Sequence, residues 1–255
     1  MNNNKNVGEV ISNYFSINRQ SFEEFYPSER KTIEFVMSNL NAYEKTILDV
    51  GCACGGLYNA LKESYNINYT GIDIVDESII IAKNKFPECD FICGDISNIQ
   101  IQKQFDIVFS FSCIDWNLGK ELFEKLFEKL FSYVKDEGYL IISLRISCDD
   151  ELNNDDSYQY INFNGEKEGN KVPYGILGMT DLISVLNKTK YFSKVYVNGF
   201  VGNPSVTAVT KHKKLLFIVL ALEKTTENKK IIKILDLPKK YKDIFDSISI
   251  HLQRM

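Results

Sequence analysis

Short apolar runs alternate with amphipathic helical stretches along the first 150 residues. Residues 120–134 place apolar side chains at spacings of three and four, which is the period of an amphipathic helix. A second helical stretch, 76–86, ends before Pro87, where helices commonly stop. Strands that alternate with helices predict βαβ units, and hence an α/β domain with a parallel sheet. The five predicted strands are residues 46–50, 67–72, 91–93, 105–110 and 139–144.

The pattern changes outside these units. Residues 148–175 form a polar segment with seven acids and two lysines, typical of a lid, a binding loop or disorder. Two later strands, 194–198 and 215–222, are close enough in sequence to pair antiparallel at one sheet edge. We predict a helical cap (1–44), a core domain (45–222) with a lid-like insertion (148–175), and a charged, partly helical extension (223–255).

Composition narrows the class of protein. The formal net charge is −4, whereas nucleic-acid binders usually carry a basic excess. No stretch reaches the 18 apolar residues of a membrane span, and the polar first residues do not resemble a signal peptide, so we expect a cytoplasmic protein. The six cysteines are then expected to be reduced. A zinc site is an alternative for the pairs Cys52/Cys54 and Cys89/Cys93, but neither has the usual C-x2-C spacing.

The first strand runs into a turn of small residues, Gly51–Gly56, and a helix is predicted to begin at about Gly56. Small residues let a ligand approach the backbone closely, and a helix N-terminus offers unpaired N–H groups. The turn therefore suits the carboxylate or phosphate end of a ligand. A tight strand-to-helix turn without a ligand is the alternative.

Acidic residues follow the next two strands. Asp73 ends the second strand, 22 residues after Gly51, where it could accept both hydroxyls of a ribose. Asp95 follows the third strand, where it could bond the exocyclic amine of adenine. Acids at strand ends are also common helix caps. Three such features in this order nevertheless indicate a pocket for an adenosine-containing ligand.

These segments resemble the class I S-adenosylmethionine-dependent methyltransferases. ILDVGCACGG is similar to the family's glycine-rich first motif, YTGIDI to its ribose-binding motif, and FICGDI to its adenine-contacting motif. FDIVFSFSCIDW resembles the fourth strand and the loop after it, and LFSYVKDEGYLIISL the helix–turn–strand that follows. The resemblance implies a Rossmann-like, mostly parallel sheet of seven strands in the order 3-2-1-4-5-7-6, with the last strand antiparallel and helices on both faces.

The resemblance also implies S-adenosyl-L-methionine as the cofactor, S-adenosyl-L-homocysteine as the product, and no metal. Asp49 would hold the first loop and the amino-acid end of the cofactor, Asp73 the ribose, and Asp95 the adenine. Ala53 replaces the family's middle glycine, and we expect cofactor binding to survive if its backbone stays at negative φ. The other implied cofactor contacts are Gly51, Gly55, Ile74, Ile96 and Ser110.

Methyl transfer from a sulfonium requires mainly alignment, and a base only where the acceptor loses a proton. Asp115 is the first candidate base; it could instead orient the acceptor or cap the helix before Lys120. His212 is a second candidate base, with a solvated loop histidine as the alternative, and Arg145 could clamp an anionic acceptor. The candidate acceptor contacts are Trp116, Tyr158, Tyr160 and Tyr174.

The segments FYPSER and VPYGILGMTDLISVL are weakly similar to methyltransferases of bacterial surface-polysaccharide and capsule biosynthesis. This similarity implies O-methylation of a nucleotide-activated sugar or a small phosphoryl precursor. Alternatives are a non-catalytic S-adenosylmethionine-binding partner protein, N-methylation of a small amine, and an NAD-dependent oxidoreductase, whose Gly-x-Gly-x-x-Gly motif is incomplete here. We expect a small, possibly anionic acceptor, no nucleic-acid or membrane partner, and a monomer or homodimer.

Overall fold

The structure is a computed structural model that describes residues 7–41, 43–113, 120–147, 158–161, 170–173, 176–188, 192–204, 208–225 and 231–243. Its helices are α1 (Val7–Ile17), α2 (Pro27–Asn39), α3 (Gly56–Leu61), α4 (Asp76–Lys85), α5 (Lys120–Ser132) and α6 (Met179–Lys188), with a 3₁₀ turn at Phe22–Glu24. Its strands are β1 (Lys45–Val50), β2 (Ile67–Asp73), β3 (Asp90–Cys93), β4 (Phe105–Ser110), β5 (Val134–Ser147), β6 (Tyr158–Ile161), β7 (Asn170–Pro173), β8 (Phe192–Gly202), β9 (Ala208–Val209), β10 (Leu215–Lys224) and β11 (Ile231–Asp236).

Eight strands form the main sheet, in the order β11-β8-β10-β5-β4-β1-β2-β3. Strands β1 to β5 pair in parallel, whereas β10 pairs antiparallel with both β5 and β8. The α/β class, the order 3-2-1-4-5-7-6 and the antiparallel last strand of that order are therefore confirmed, with β8 and β10 as strands six and seven.

An eighth strand lies beyond the predicted seven. β11 pairs in parallel with β8 at the sheet edge, and its residues belong to the extension 223–255, which we expected to be partly helical. The extension is partly helical at residues 239–243, whereas the strand at residues 231–236 was not predicted. Three isoleucines within these six residues favour a strand, and the edge of β8 supplies backbone hydrogen-bonding groups for it.

Helices cover both faces of the sheet, as expected. On one face the apolar stripe of α5, with Phe123 and Phe127 fully buried, packs against Val108 of β4 and residues of α6. On the other face α2, α3 and α4 pack on a cluster that includes Ile47 and Phe109. Within the described residues, no helix is both long and apolar enough to cross a membrane.

A small second sheet is built from the insertion 148–175. Strands β6 and β7 form an antiparallel pair inside this segment, and β9 pairs with β6 from the connection between β8 and β10. Eight residues of the insertion are thus in strands, which the sequence did not predict. Next to the insertion, Leu177 pairs with the end of β5 through bonds to Arg145 and Ser147 of 2.9 and 2.8 Å. The insertion therefore leaves and returns at the carboxyl end of β5.

Candidate functional site

The carboxyl ends of β1, β2 and β3 lie side by side. Val50 pairs with Ile72, and Asp73 pairs with Cys93. Just beyond β1, the Gly51 N–H donates to the Ile72 carbonyl at 2.8 Å, which continues the strand pairing into the loop. The sheet register therefore brings the glycine-rich loop and the acids that follow β2 and β3 to one edge, as the sequence predicted.

The glycine-rich loop has three residues with positive φ: Gly51 at 83°, Ala53 at 45° and Gly55 at 79°. The expected negative φ at Ala53 is therefore wrong. The Ala53 N–H donates to Asp73 Oδ2 at 2.8 Å, and this bond turns the peptide toward β2. A left-handed conformation costs a non-glycine residue about 1 kcal/mol. The loop also packs closely against Cys113, because a Cβ at Gly51 would lie 2.6 Å from the Cβ of Cys113.

Asp73 is half-buried at the end of β2. Its Oδ2 accepts the Ala53 N–H and its Oδ1 accepts the Val75 N–H at 2.9 Å. Burial raises the pKa of Asp73, and these backbone N–H groups oppose that rise. Each carboxylate oxygen can accept a further bond, so hydroxyl groups of a ligand could still be held here. Ile74 follows directly and is 68% exposed, which leaves an apolar side chain on the surface beside the acid.

Asp95 lies two residues beyond β3 and is exposed, and its Oδ1 accepts the Ser97 N–H at 2.8 Å. Ile96 is 8% exposed, and its side chain belongs to the core cluster on the α5 face. At this position the backbone of Ile96, rather than its side chain, is suited to contact a ligand. The Gly94 N–H donates to the Asp73 carbonyl at 2.8 Å, which keeps the ends of β2 and β3 together.

Asp49 is buried near the end of β1, two residues before Gly51. The Tyr69 hydroxyl donates to its Oδ2 at 2.5 Å. Burial raises the pKa of Asp49 to about 7; the Tyr69 hydroxyl and Arg19 lower it, and Asp73 raises it. A group with this pKa can change its charge near neutral pH when a cation binds beside it.

The end of β4 approaches the same edge. Ser110 is fully buried, and its hydroxyl has no hydrogen-bond partner in the described part of the chain. Ser112 follows with φ of 49°, and its N–H donates to the Ser143 hydroxyl on β5 at 2.8 Å. This bond fixes the path of the chain as it leaves β4.

Arg145 and His212 both lie at the carboxyl end of β5. Arg145 is 8% exposed and pairs with Phe217 of β10. His212 is 3% exposed, with Nδ1 3.2 Å from the Ser147 hydroxyl, so the alternative of a solvated loop histidine is wrong. The connection before β10 folds onto the end of β5 and buries the imidazole. His212 therefore lies at the same end of the sheet as Arg145.

The remaining predicted site residues belong to the loop after β4 and to the insertion. Asp115, Trp116 and Tyr174 lie outside the described residues. Tyr158 and Tyr160 lie in β6, where the structure describes the backbone. Among the described residues, no group of three His, Cys, Asp or Glu side chains could hold a metal ion.

Two residues near the site were missed by the sequence analysis. Glu29, in the first turn of α2, is 1% exposed and forms an ion pair with Arg19. Burial raises the pKa of Glu29, and Arg19 is the largest opposing influence. The available signal was a glutamate shortly after Pro27, which indicates a helix start. The residues around Arg19 in the sequence do not indicate that it pairs with Glu29.

Comparisons with known proteins agree with this geometry. Residues 47–138 match the family model described as a methyltransferase domain. Protein 235L of Invertebrate iridescent virus 6, named as a methyltransferase, is 37% identical over 81 residues, 31% of each chain. A malonyl-[acyl-carrier protein] O-methyltransferase of Calditerrivibrio nitroreducens is 32% identical over 111 residues, 43% of this chain and 42% of the relative. A trans-aconitate 2-methyltransferase of Escherichia coli is 30% identical over 73 residues, 28% of this chain and 29% of the relative.

The matched region thus spans less than half the length of these curated relatives. Among solved structures, a SAM-dependent methyltransferase from Methanosarcina mazei aligns with a TM-score of 0.58 at 17% identity, covering 80% of this chain and 99% of that one. The structural similarity therefore covers many residues outside the sequence match at 47–138.

Proposed function

This chain carries a methyltransferase domain of the class I S-adenosylmethionine-dependent family, and we propose that it transfers a methyl group from that cofactor to a small acceptor. The observation that carries the proposal is the alignment of three strand ends. The register of β1, β2 and β3 brings a glycine-rich loop, Asp73 and Asp95 to one edge, in the order of the cofactor's amino-acid end, ribose and adenine.

The residues present fit this cofactor. Gly51 and Gly71 are closely surrounded, because a Cβ at either position would lie within 2.8 Å of a neighbouring side chain. Only glycine therefore fits at these two positions without displacing a neighbour, so the path of the backbone beside the site is fixed. The fully buried Ser110 hydroxyl at the end of β4 is available to a polar group of a ligand. Exposed Ile74 offers an apolar surface to the flat adenine ring.

Each cofactor contact is then assigned by its position in the sheet. Asp49 would pair with the ammonium group of the amino-acid end, and Gly51, Ala53 and Gly55 would line that end. Asp73 would accept the ribose hydroxyls. The further contacts are Asp95 and the Ile96 backbone with adenine, Ile74 against its ring, and Ser110 near the sulfonium.

The sulfonium supplies an activated methyl group, so the chain's main task is to orient the acceptor. We assign the acceptor to the carboxyl ends of β4 and β5, where the insertion leaves and returns beside Ser147. Arg145 would clamp an anionic acceptor, and Asp115 or His212 would take a proton where one is lost. Trp116, Tyr158, Tyr160 and Tyr174 stay predicted acceptor contacts.

We propose O-methylation of an anionic acceptor. The buried Arg145 favours this class, because a guanidinium pairs well with carboxylate or phosphate oxygens. Two relatives are named for malonyl and trans-aconitate acceptors, which are carboxylic acids. The nucleotide-activated sugar or phosphoryl capsule precursor stays a prediction from the sequence, without a counterpart among these relatives.

Formation of S-adenosylhomocysteine from labelled cofactor tests the activity. The acceptor panel contains di- and tricarboxylic acids, nucleotide sugars, sugar phosphates and small amines. We expect turnover with an anionic oxygen acceptor. Turnover with amines alone would contradict O-methylation, and binding of cofactor without turnover on any acceptor would favour a non-catalytic binding protein.

Two variants separate the proposed roles. Asp73→Ala is expected to weaken cofactor binding, because the ribose loses its acceptor. Asp115→Ala is expected to lower turnover while cofactor affinity stays unchanged. Measurement of both affinity and turnover checks this division, and identical behaviour of the two variants would refute it.

A further inference from the structure

A short stretch between α1 and α2, residues 18–24, lies across the end of the glycine-rich loop; we call it the strap. Its backbone touches the first turn of α3, because a Cβ at Gly56 would lie 2.2 Å from the Arg19 carbonyl oxygen. The Asn59 side chain donates to the Gln20 carbonyl at 2.8 Å, and Lys85 of α4 donates to the Gln20 side chain. These contacts hold the strap against α3 and α4, and α3 begins directly after the loop Gly51–Gly55.

The Arg19 side chain extends from the strap toward β4. Its guanidinium carbon lies 4.4 Å from the centre of the Phe25 ring. That ring packs against Phe111, the residue after β4, with 6.2 Å between ring centres. The backbone of Arg19 is thus at α3 and its charge is near the end of β4. The glycine-rich loop follows β1, the neighbour of β4 in the sheet, and leads into α3, so Arg19 contacts elements on both sides of this loop in the fold.

Glu29 fixes the direction of this guanidinium. Arg19 Nη2 donates to Glu29 Oε2, which also accepts the Tyr26 N–H at 3.0 Å. A guanidinium carries five N–H donors, and in the described contacts only Nη2 has a hydrogen-bond partner. The remaining donors can therefore bind a second carboxylate. Arg19 also has φ of 58°, a conformation that is unfavourable for arginine unless its surroundings impose it.

We propose that Arg19 binds the carboxylate of the cofactor's amino-acid end. This inference rests on the proposed function. That end of the cofactor is zwitterionic, with one ammonium and one carboxylate group. Asp49, buried near the end of β1, suits the ammonium, and the Arg19 guanidinium suits the carboxylate. The strap would then couple the N-terminal part of the chain to cofactor binding.

Electrostatic proximity supports this arrangement. The charge of Arg19 lowers the pKa of Asp49 against the larger effect of burial. The two side chains are therefore close enough to interact. A zwitterion between them would place each of its charges beside the opposite charge of the protein.

A ligand that lacks only the carboxylate tests the proposal. S-adenosyl-3-thiopropylamine keeps the nucleoside, the sulfur and the amine of S-adenosylhomocysteine. Calorimetry with both ligands is done on the wild type, Arg19→Met and Arg19→Lys. We expect Arg19→Met to weaken S-adenosylhomocysteine binding by roughly 10- to 100-fold, and to change binding of the amine analogue by less than about threefold. Arg19→Lys keeps the charge and is expected to lose less.

Lys31→Met is the matched control, because Lys31 is an exposed cation of α2 whose partner is the exposed Asp236. It should leave the affinity for both ligands unchanged. Equal weakening of both ligands in the Arg19 variants would overturn the proposal and show that Arg19 only holds the strap in place. Unchanged S-adenosylhomocysteine affinity would also overturn it. If Arg19→Met does not fold, the same comparison between ligands is made with Arg19→Lys. Failure of the folded wild type to bind S-adenosylhomocysteine would instead contradict the proposed function.

Discussion

Ala53 lies in the left-handed region of backbone conformation, with φ of 45°, and its N–H donates to Asp73. The cross-strand bond stabilises a conformation that the Cβ of alanine disfavours. Ala53→Gly should therefore keep the bond and remove the strain. We expect the free energy of unfolding to rise by about 0.5–1 kcal/mol, measured by urea denaturation. An unchanged or lower value would show that the alanine is not strained at this position.

The pKa of Asp49, raised by burial to about 7, has a consequence for ligand binding. Only the ionised carboxylate pairs with the cofactor's ammonium group, so affinity should increase as the pH rises. We expect S-adenosylhomocysteine affinity to increase roughly tenfold between pH 6 and pH 7.5. Asp49→Asn should bind more weakly at pH 7.5 and show little dependence on pH in this range. A strong increase retained in Asp49→Asn would assign the titration to another group.

The same pKa affects the stability of the ligand-free protein. Because the folded-state pKa lies above the ordinary value of 3.8, the folded state favours protonated Asp49. This contribution to stability is complete below about pH 4 and is lost as the pH rises through about 7. The ionised Asp49 carboxylate therefore destabilises the ligand-free protein at neutral pH, and a cation bound beside it would offset this effect.

Residue identity alone could predict only part of the site. Asp73 and Asp95 were predictable because Asp73 ends one apolar strand and Asp95 lies two residues beyond the next, and strand ends are visible locally. The conformation of Ala53 was not, because a partner 20 residues away imposes it. Arg19 and Glu29 were missed for a related reason. Their ion pair forms between two segments that a turn brings together.

At the scale of elements, the strap and α3 are packed backbone to backbone at Gly56. Alanine has a higher helix propensity than glycine, so local preference alone predicts that Gly56→Ala stabilises the protein by up to about 1 kcal/mol. A Cβ there would lie 2.2 Å from the Arg19 carbonyl, which is backbone and cannot move cheaply. We expect the steric effect to dominate.

Urea denaturation of Gly56→Ala should therefore show a loss of stability of about 1–3 kcal/mol. The displaced strap should also weaken S-adenosylhomocysteine binding. The control is a conservative substitution at Ala60, which is half-buried one turn further along α3. A Gly56→Ala variant more stable than wild type would show that the strap does not press on this turn.

Hydrophobic periodicity predicted α4, α5 and β1 to β5 well because each packs one face, or both, on a continuous core. The stripe of α5 is an example: Phe123 and Phe127, four residues apart, are both fully buried. β11 was missed because its burial is incomplete and its pairing with β8 depends on an edge that exists only in the folded sheet. The small sheet of β6, β7 and β9 likewise joins segments that are distant in sequence.

At the scale of the whole molecule, three segments outside the central strands meet near the carboxyl edge of the sheet. The N-terminal α1 packs on α4, where the hydroxyl oxygens of Ser12 and Ser78 are 2.8 Å apart, and it also contacts β6. The Cys54 thiol of the glycine-rich loop donates to the Ser12 carbonyl at 3.4 Å. The loop is therefore contacted by α1 at Cys54, the strap packs where the loop enters α3, and β6 of the insertion contacts α1.

The central claim is that three strand ends hold one sulfonium nucleoside. Titration calorimetry of the folded wild-type protein with S-adenosylhomocysteine tests it most directly, with Asp73→Ala as the comparison. We predict one binding site per chain and a weakening of at least tenfold in Asp73→Ala, because a buried polar contact to the ribose is lost. Absence of binding to the folded wild type, or equal affinity of the two proteins, would contradict the account.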